Sequence, residues 1–83
     1  MTVERVVDRI LARFGDLTSL ETKPSGACHM TVNGASLSLV NGEVYDDKVV
    51  FVWYRDVNQD FYPTMILTYE SDVSDLIYLL LRP

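Results

Sequence analysis

Residues 28–45 read CHMTVNGASLSLVNGEVY, and the two Asn-Gly pairs in that stretch decide the fold. Asn-Gly favours a two-residue type I′ hairpin, because both central positions need φ > 0. A turn at Asn33-Gly34 sets Val32 opposite Ala35, Met30 opposite Leu37 and Cys28 opposite Leu39 on one face. Thr31 with Ser36, and His29 with Ser38, then fall on the other. One face is apolar and the other polar, a match that a slipped register would scramble. Read the same way, Asn41-Gly42 opposes Leu39 to Val44 and Ser38 to Tyr45. A third tight turn at Asp46-Asp47 places Val44 against Val49.

The next strand, Lys48–Asp56, is apolar on both faces. Val49, Phe51 and Trp53 point one way; Val50, Val52 and Tyr54 point the other. That pattern marks a central strand or one covered twice. Val57–Asp60 turns the chain into a further strand, Phe61–Tyr69, with Pro63 near its start, where a missing donor matters least.

Helices flank the β region. Val3, Val6, Val7, Ile10 and Phe14 recur at helical spacing over Val3–Phe14, with Thr2 as N-cap and Gly15 as terminator. Arg5, Arg9 and Arg13 line one flank of that stripe and Glu4 and Asp8 the other, read as a solvated surface with local ion pairs. Ser71 is expected to cap a closing helix, Asp72–Leu81. Asp72 and Asp75 lie in its first turn and Arg82 at its end, the polarity a helix dipole favours. Leu17–Lys23 is either a further strand or a turn that tucks onto the core. The expected fold is α+β: an N-terminal helix, an antiparallel four- to five-stranded β-meander and a C-terminal helix, in one domain spanning residues 1–83.

Composition bounds the function. The chain has 83 residues, 48% hydrophobic and 23% charged, far too apolar for a disordered acidic segment. Its longest apolar runs, Val49–Tyr54 and Leu76–Leu81, fall well short of the ~20 residues of a membrane span. The lone cysteine excludes an intramolecular disulfide and, with no visible secretory signal, suggests a cytoplasmic protein. Acids and bases balance over residues 1–26, so the net charge of −5 sits in residues 27–83. Such a surface repels phosphate backbones, so no direct nucleic-acid contact is expected and a basic protein partner is favoured.

Catalytic chemistry is hard to assemble. Cys28 and His29 are neighbours on a strand and point to opposite faces, so they form no nucleophile–base dyad. One His and one Cys cannot build a standard zinc site, and no Gly-x-Ser-x-Gly elbow or Gly-rich phosphate loop is present. Asp56-Val57-Asn58-Gln59-Asp60 starts like a calcium loop, but Phe61 stands where the loop needs glycine and Leu67 where it needs glutamate. No enzyme activity, metal or cofactor is expected.

A sheet four or five strands wide spans about 19–24 Å, whereas one helix covers about 10–12 Å. Covering one face takes both helices and leaves the other bare; the alternative, one helix per face, leaves each face half-covered and apolar surface exposed all the same. In the register above, the bare face carries Val50, Val52, Tyr54, Tyr45 and Tyr62, an apolar patch of the kind that marks an interface.

The order of helix, loop, Gly-Ala-Cys-His-Met-Thr-Val (26–32), hairpin, then Asp-Asp-Lys-Val-Val-Phe-Val-Trp-Tyr (46–54) resembles the first half of the class I type III secretion chaperones, over residues 3–56. Those are small acidic cytoplasmic dimers whose opening helix and three-stranded meander bind an extended effector segment. The resemblance implies that Val6, Ile10 and apolar strand residues would help hold such a segment.

Two functions follow. The first is an adaptor or chaperone-like module docking a protein, or a second copy, on the apolar face. The second is a small inhibitor or immunity-type protein, such as a phage encodes, whose acids mimic nucleic acid and fill a basic groove. Asp46, Asp47, Asp56, Asp60, Glu70, Asp72 and Asp75 would carry that mimicry.

Overall fold

The computed structural model describes residues 1–15, 18–56 and 61–81, with the side chains of Thr18 and 61–64 excepted. Its element order is α1 (Val3–Phe14), β1 (Thr18–Thr22), β2 (Cys28–Val32), β3 (Ala35–Val44), β4 (Asp47–Arg55), β5 (Phe61–Leu67) and α2 (Glu70–Leu80). The five strands form one antiparallel sheet in sequence order, so the expected α+β meander is present, with Thr18–Thr22, inside the stretch that the sequence leaves open as strand or turn, supplying its first strand.

The first Asn-Gly pair behaves as the sequence predicts. Val32 pairs with Ala35, Met30 with Leu37 and Cys28 with Leu39, around Asn33 at φ 51° and Gly34 at φ 86°. The Asn33 side chain has a second role. Its amide donates to the carbonyl of Leu80 at 3.0 Å, capping the end of α2.

The second pair is not a turn. Asn41 and Gly42 lie inside a ten-residue strand, paired with Val50 and Val49. Each residue is used for its side chain, or for lacking one. Asn41 Oδ1 accepts from the backbone N–H of Val3 at 2.9 Å, satisfying an orphan donor at the start of α1. Gly42 lies under the Phe51 ring, where a Cβ would come within 2.0 Å of a ring carbon. The chain reverses later, at Tyr45 and Asp46, both left-handed at φ 50° and 65°.

That shift inverts one expectation. A two-residue turn at Asn41-Gly42 would keep Leu39 and Val44 on the same face, whereas a straight strand puts them on opposite faces. The observed register sets Leu39 against Val52 and Leu37 against Tyr54. Val50, Val52 and Tyr54, expected on the bare face, are 0%, 0% and 5% exposed beneath the helices. Tyr45 lies in the turn rather than on the sheet, 96% exposed. The side chain of Tyr62 is outside the described residues.

A tyrosine at positive φ is unfavourable by roughly 1 kcal/mol, since its Cβ crowds the backbone carbonyl. Tyr45 buries nothing to offset this. Tyr45→Asn should therefore raise stability by about 0.5–1 kcal/mol, read as an increased urea midpoint at unchanged m-value.

Both helices cover the same face. Val3, Val6, Ile10 and Phe14 from α1 join Val73, Leu76 and Leu80 from α2 over Cys28, Met30, Val32, Leu37, Leu39, Val50, Val52 and Leu67 in one buried cluster. Val6 and Ile10 are fully buried there, so they are not turned toward an effector segment as the chaperone resemblance would have them. The arginine row links the two helices. Arg5 and Arg9 both bind the carboxylate of Glu70, and Arg9 also donates to Ser74 Oγ at 3.2 Å. Arg13 lies 5.8 Å from the centre of the Phe14 ring.

The start of α2 differs from expectation in one detail. Ser71 is already helical; Asp72 supplies the capping carboxylate, accepting from the backbone N–H of Thr68 and Tyr69 at 2.8 Å each. Those two bonds hold the Asp72 carboxyl below its usual range. Arg82 lies outside the described residues.

Candidate docking face

The face away from the helices is built by strand alternation. Outward residues, rank by rank across the strands, are Glu21, His29, Ser38 and Trp53, then Ser19, Thr31, Ser36 and Arg55. Val40 and Phe51 pair at the centre of the face, with Ile66 beside them on β5. Gly42 with Val49, and Val44 with Asp47, complete the far end. Among the described residues no helix crosses this face.

Its middle is apolar. Trp53 is 39% exposed and Ile66 49%, while Val40, Val44 and Phe51 are half-buried. Val49 is 1% exposed yet belongs to this side, apart from the main core. The Phe51 ring on Gly42 supplies the relief at that end. At the other end the small side chains of Ser36 and Ser38 leave a hollow of about 380 Å³, walled by His29, Trp53 and Arg55. An aromatic centre with few charges and a polar rim is the usual composition of an interface.

β4 to β5 pairing carries a bulge between Val52 and Tyr54, and the extra residue falls on β5 between Tyr62 and Met65. Pro63 lies in that interval, consistent with proline's place at edges and bulges. An edge bent this way is a poor template for strand addition.

The rank of Glu21, His29 and Ser38 places an acid, an imidazole and a hydroxyl side by side. A working nucleophile–base pair needs a hydrogen bond of ~2.6–3.2 Å and an oriented acid. Among the described residues no hydrogen bond joins His29 to Ser38. The Glu21 carboxylate is engaged by Lys23 Nζ at 2.7 Å, and that bond holds its carboxyl below the usual range. Among the described residues the three groups therefore lack the hydrogen-bonded pair and oriented acid of a nucleophile–base site.

A second cleft, of about 510 Å³, opens between α1 and the β1–β2 side, where Val7, Thr22, Gly26 and Cys28 meet Glu4, Asp8 and Asn41. Leu20 shares the helix-side face with its partner Met30 but lies beyond the cover of α1, 43% exposed. Cys28 is 2% exposed, and burial pushes its thiol up, the opposite of what a reactive thiolate needs.

The acids proposed for nucleic-acid mimicry are scattered. Asp46 and Asp47 lie at the β3–β4 turn and Asp56 just past the other end of β4. Glu70 is bound to two arginines and Asp72 to the backbone at the helix start, leaving Asp75 exposed on α2. Asp60, and with it most of the calcium-like string 56–60, lies outside the described residues. Among those described, no three His, Cys, Asp or Glu residues gather in a way that could hold a metal ion, and no helix is long and apolar enough to cross a membrane.

No family model, no curated protein and no solved structure matches the chain.

Proposed function

We propose that this chain is a non-enzymatic protein-binding module that docks a protein partner on the open face of its sheet. The supporting observation is the segregation of the two faces. Both helices lie over one side, while Val40, Phe51, Trp53 and Ile66 form an apolar centre on the other with no covering element among the described residues. A bare aromatic patch is unfavourable to display in water, and its persistence on a small domain is best accounted for by a partner that covers it. Trp53 is the expected anchor, since tryptophan at the centre of an interface carries a large share of binding energy.

The test is a bait comparison in native lysate. The wild-type chain should retain its partner through a rise from about 0.1 to 1 M salt, because burial of apolar surface is not screened. Trp53→Asp should lose that partner, while charge reversal of Asp46 and Asp75, which lie outside the outward rows of this face, should keep it. Loss on charge reversal or at high salt, with Trp53→Asp still binding, would instead favour the acidic-mimic reading.

A further inference from the structure

We propose that the occupant of the open face is a second copy of this chain, packed sheet to sheet about a twofold axis that crosses β4 at Phe51. The inference rests on the docking reading and names its partner.

The order of outward side chains on β4 carries it. They run Asp47, Val49, Phe51, Trp53, Arg55, with an acid at one end, a base at the other and Phe51 in the middle. A half-turn about an axis through Phe51, perpendicular to the strands, lays this row on itself reversed. Asp47 of each copy then faces Arg55 of the other, and Trp53 faces the Val49–Phe51 region. Isologous contacts of this kind form every pairing twice.

Charge points the same way. The chain carries a net −5, yet among the described residues this face is balanced: Glu21 is paired with Lys23, and Asp47 is matched in number by Arg55. Glu4, Asp8, Glu70, Asp72 and Asp75 lie on the helices, on the opposite side. A basic partner would find no excess of acid here, whereas two copies meet without like-charge repulsion.

Relief and area agree. The twofold sets the hollow over Ser36 and Ser38 against the end where Val44 and the Phe51 ring stand on the strand surface. β3 and β4 are ten and nine residues long, so the face is about 30 Å by 20 Å at strand spacings. That is roughly 600 Å² in projection, before side-chain relief, close to the ~800 Å² per partner of a standard interface.

Sedimentation equilibrium of the pure 83-residue chain, from about 1 to 200 µM, tests it. The mass should rise from 9.5 kDa toward twice that value. Trp53→Asp should stay at the single-chain mass with an unchanged circular dichroism spectrum. Asp47→Arg and Arg55→Asp should each weaken association roughly tenfold, because each puts like charges together twice. The double variant should recover wild-type association. A wild-type chain that remains single throughout overturns the proposal, and a double variant as weak as either single one overturns the twofold arrangement. The docking reading fails separately: it survives a single-chain result if Trp53→Asp still loses a lysate partner, and falls with the proposal if neither assay responds to that change.

Discussion

Val52→Asp is expected to unfold the domain, whereas Trp53→Asp, one residue along the same strand, should leave it folded and remove the docking proposed for it. The contrast follows from strand alternation. Val52 is fully buried in the shared core beneath α1 and α2, and among the described residues no buried polar or charged side chain is there to meet a carboxylate. Burying an unpaired charge is unfavourable by several kcal/mol even after the group protonates. A domain of 83 residues has a total stability of roughly 4–12 kcal/mol. Val52→Asp should therefore abolish the cooperative urea transition at neutral pH. Trp53 is already 39% exposed on the open face, so Trp53→Asp should shift stability by no more than about 1 kcal/mol. Paired denaturation curves decide the matter, and equal losses at the two positions would contradict the assignment of faces.

The second large effect is expected at Gly42. A Cβ there would lie 2.0 and 2.5 Å from two carbons of the Phe51 ring, well inside contact distance, so Gly42→Val must drive the ring off the strand. Overpacking of this sort lowers stability by about 1–3 kcal/mol. Val49, paired with Gly42, is 1% exposed, and a displaced ring would disturb the surface around it. Phe51→Ala in the Gly42→Val background should recover part of the loss, a coupling that urea midpoints of the four chains would register. Additive losses would mean that the ring does not rest on the glycine. If the second-copy arrangement holds, Gly42→Val should also weaken association, because the ring stands at the centre of the twofold.

These two positions also explain what sequence reading captured and where it went astray. The helices were legible because Val3, Val6, Ile10 and Phe14, and likewise Val73, Leu76 and Leu80, recur at helical spacing and all become buried. The register of β2 and β3 was legible because Asn33-Gly34 fixes a loop of two residues and the flanking alternation agrees with it. Asn41-Gly42 has the same letters and a different physical use. Glycine serves a turn through positive φ and a strand surface through the absence of a side chain, and the dipeptide does not distinguish the two. The actual turn residues, Tyr45 and Asp46, carry no such signature, since a tyrosine at φ 50° is an uncommon choice. Two reversals, at Asn41-Gly42 and Asp46-Asp47, are read where the structure has one at Tyr45 and Asp46, so Val44 pairs with Asp47 instead of Val49 and the side chains of β4 exchange faces. Hence sheet width alone predicts a bare face, while the turn letters assign Val50, Val52 and Tyr54 to it and the structure places Val49, Phe51 and Trp53 there. The reach of Asn41 and Asn33 to the two helix ends depends on tertiary placement, which no local pattern encodes. The same is true of the two arginines that converge on Glu70.

Trp53, the single tryptophan, reports directly on the open face. Acrylamide quenching of its fluorescence should be measured over a dilution series in parallel with the sedimenting mass. At the single-chain mass the indole should be readily quenched and its emission red-shifted, with protection growing as the mass doubles. An indole that is blue-shifted and unquenched in a species of single-chain mass would mean that the chain covers this side of the sheet itself, and the account of a docking face would be wrong.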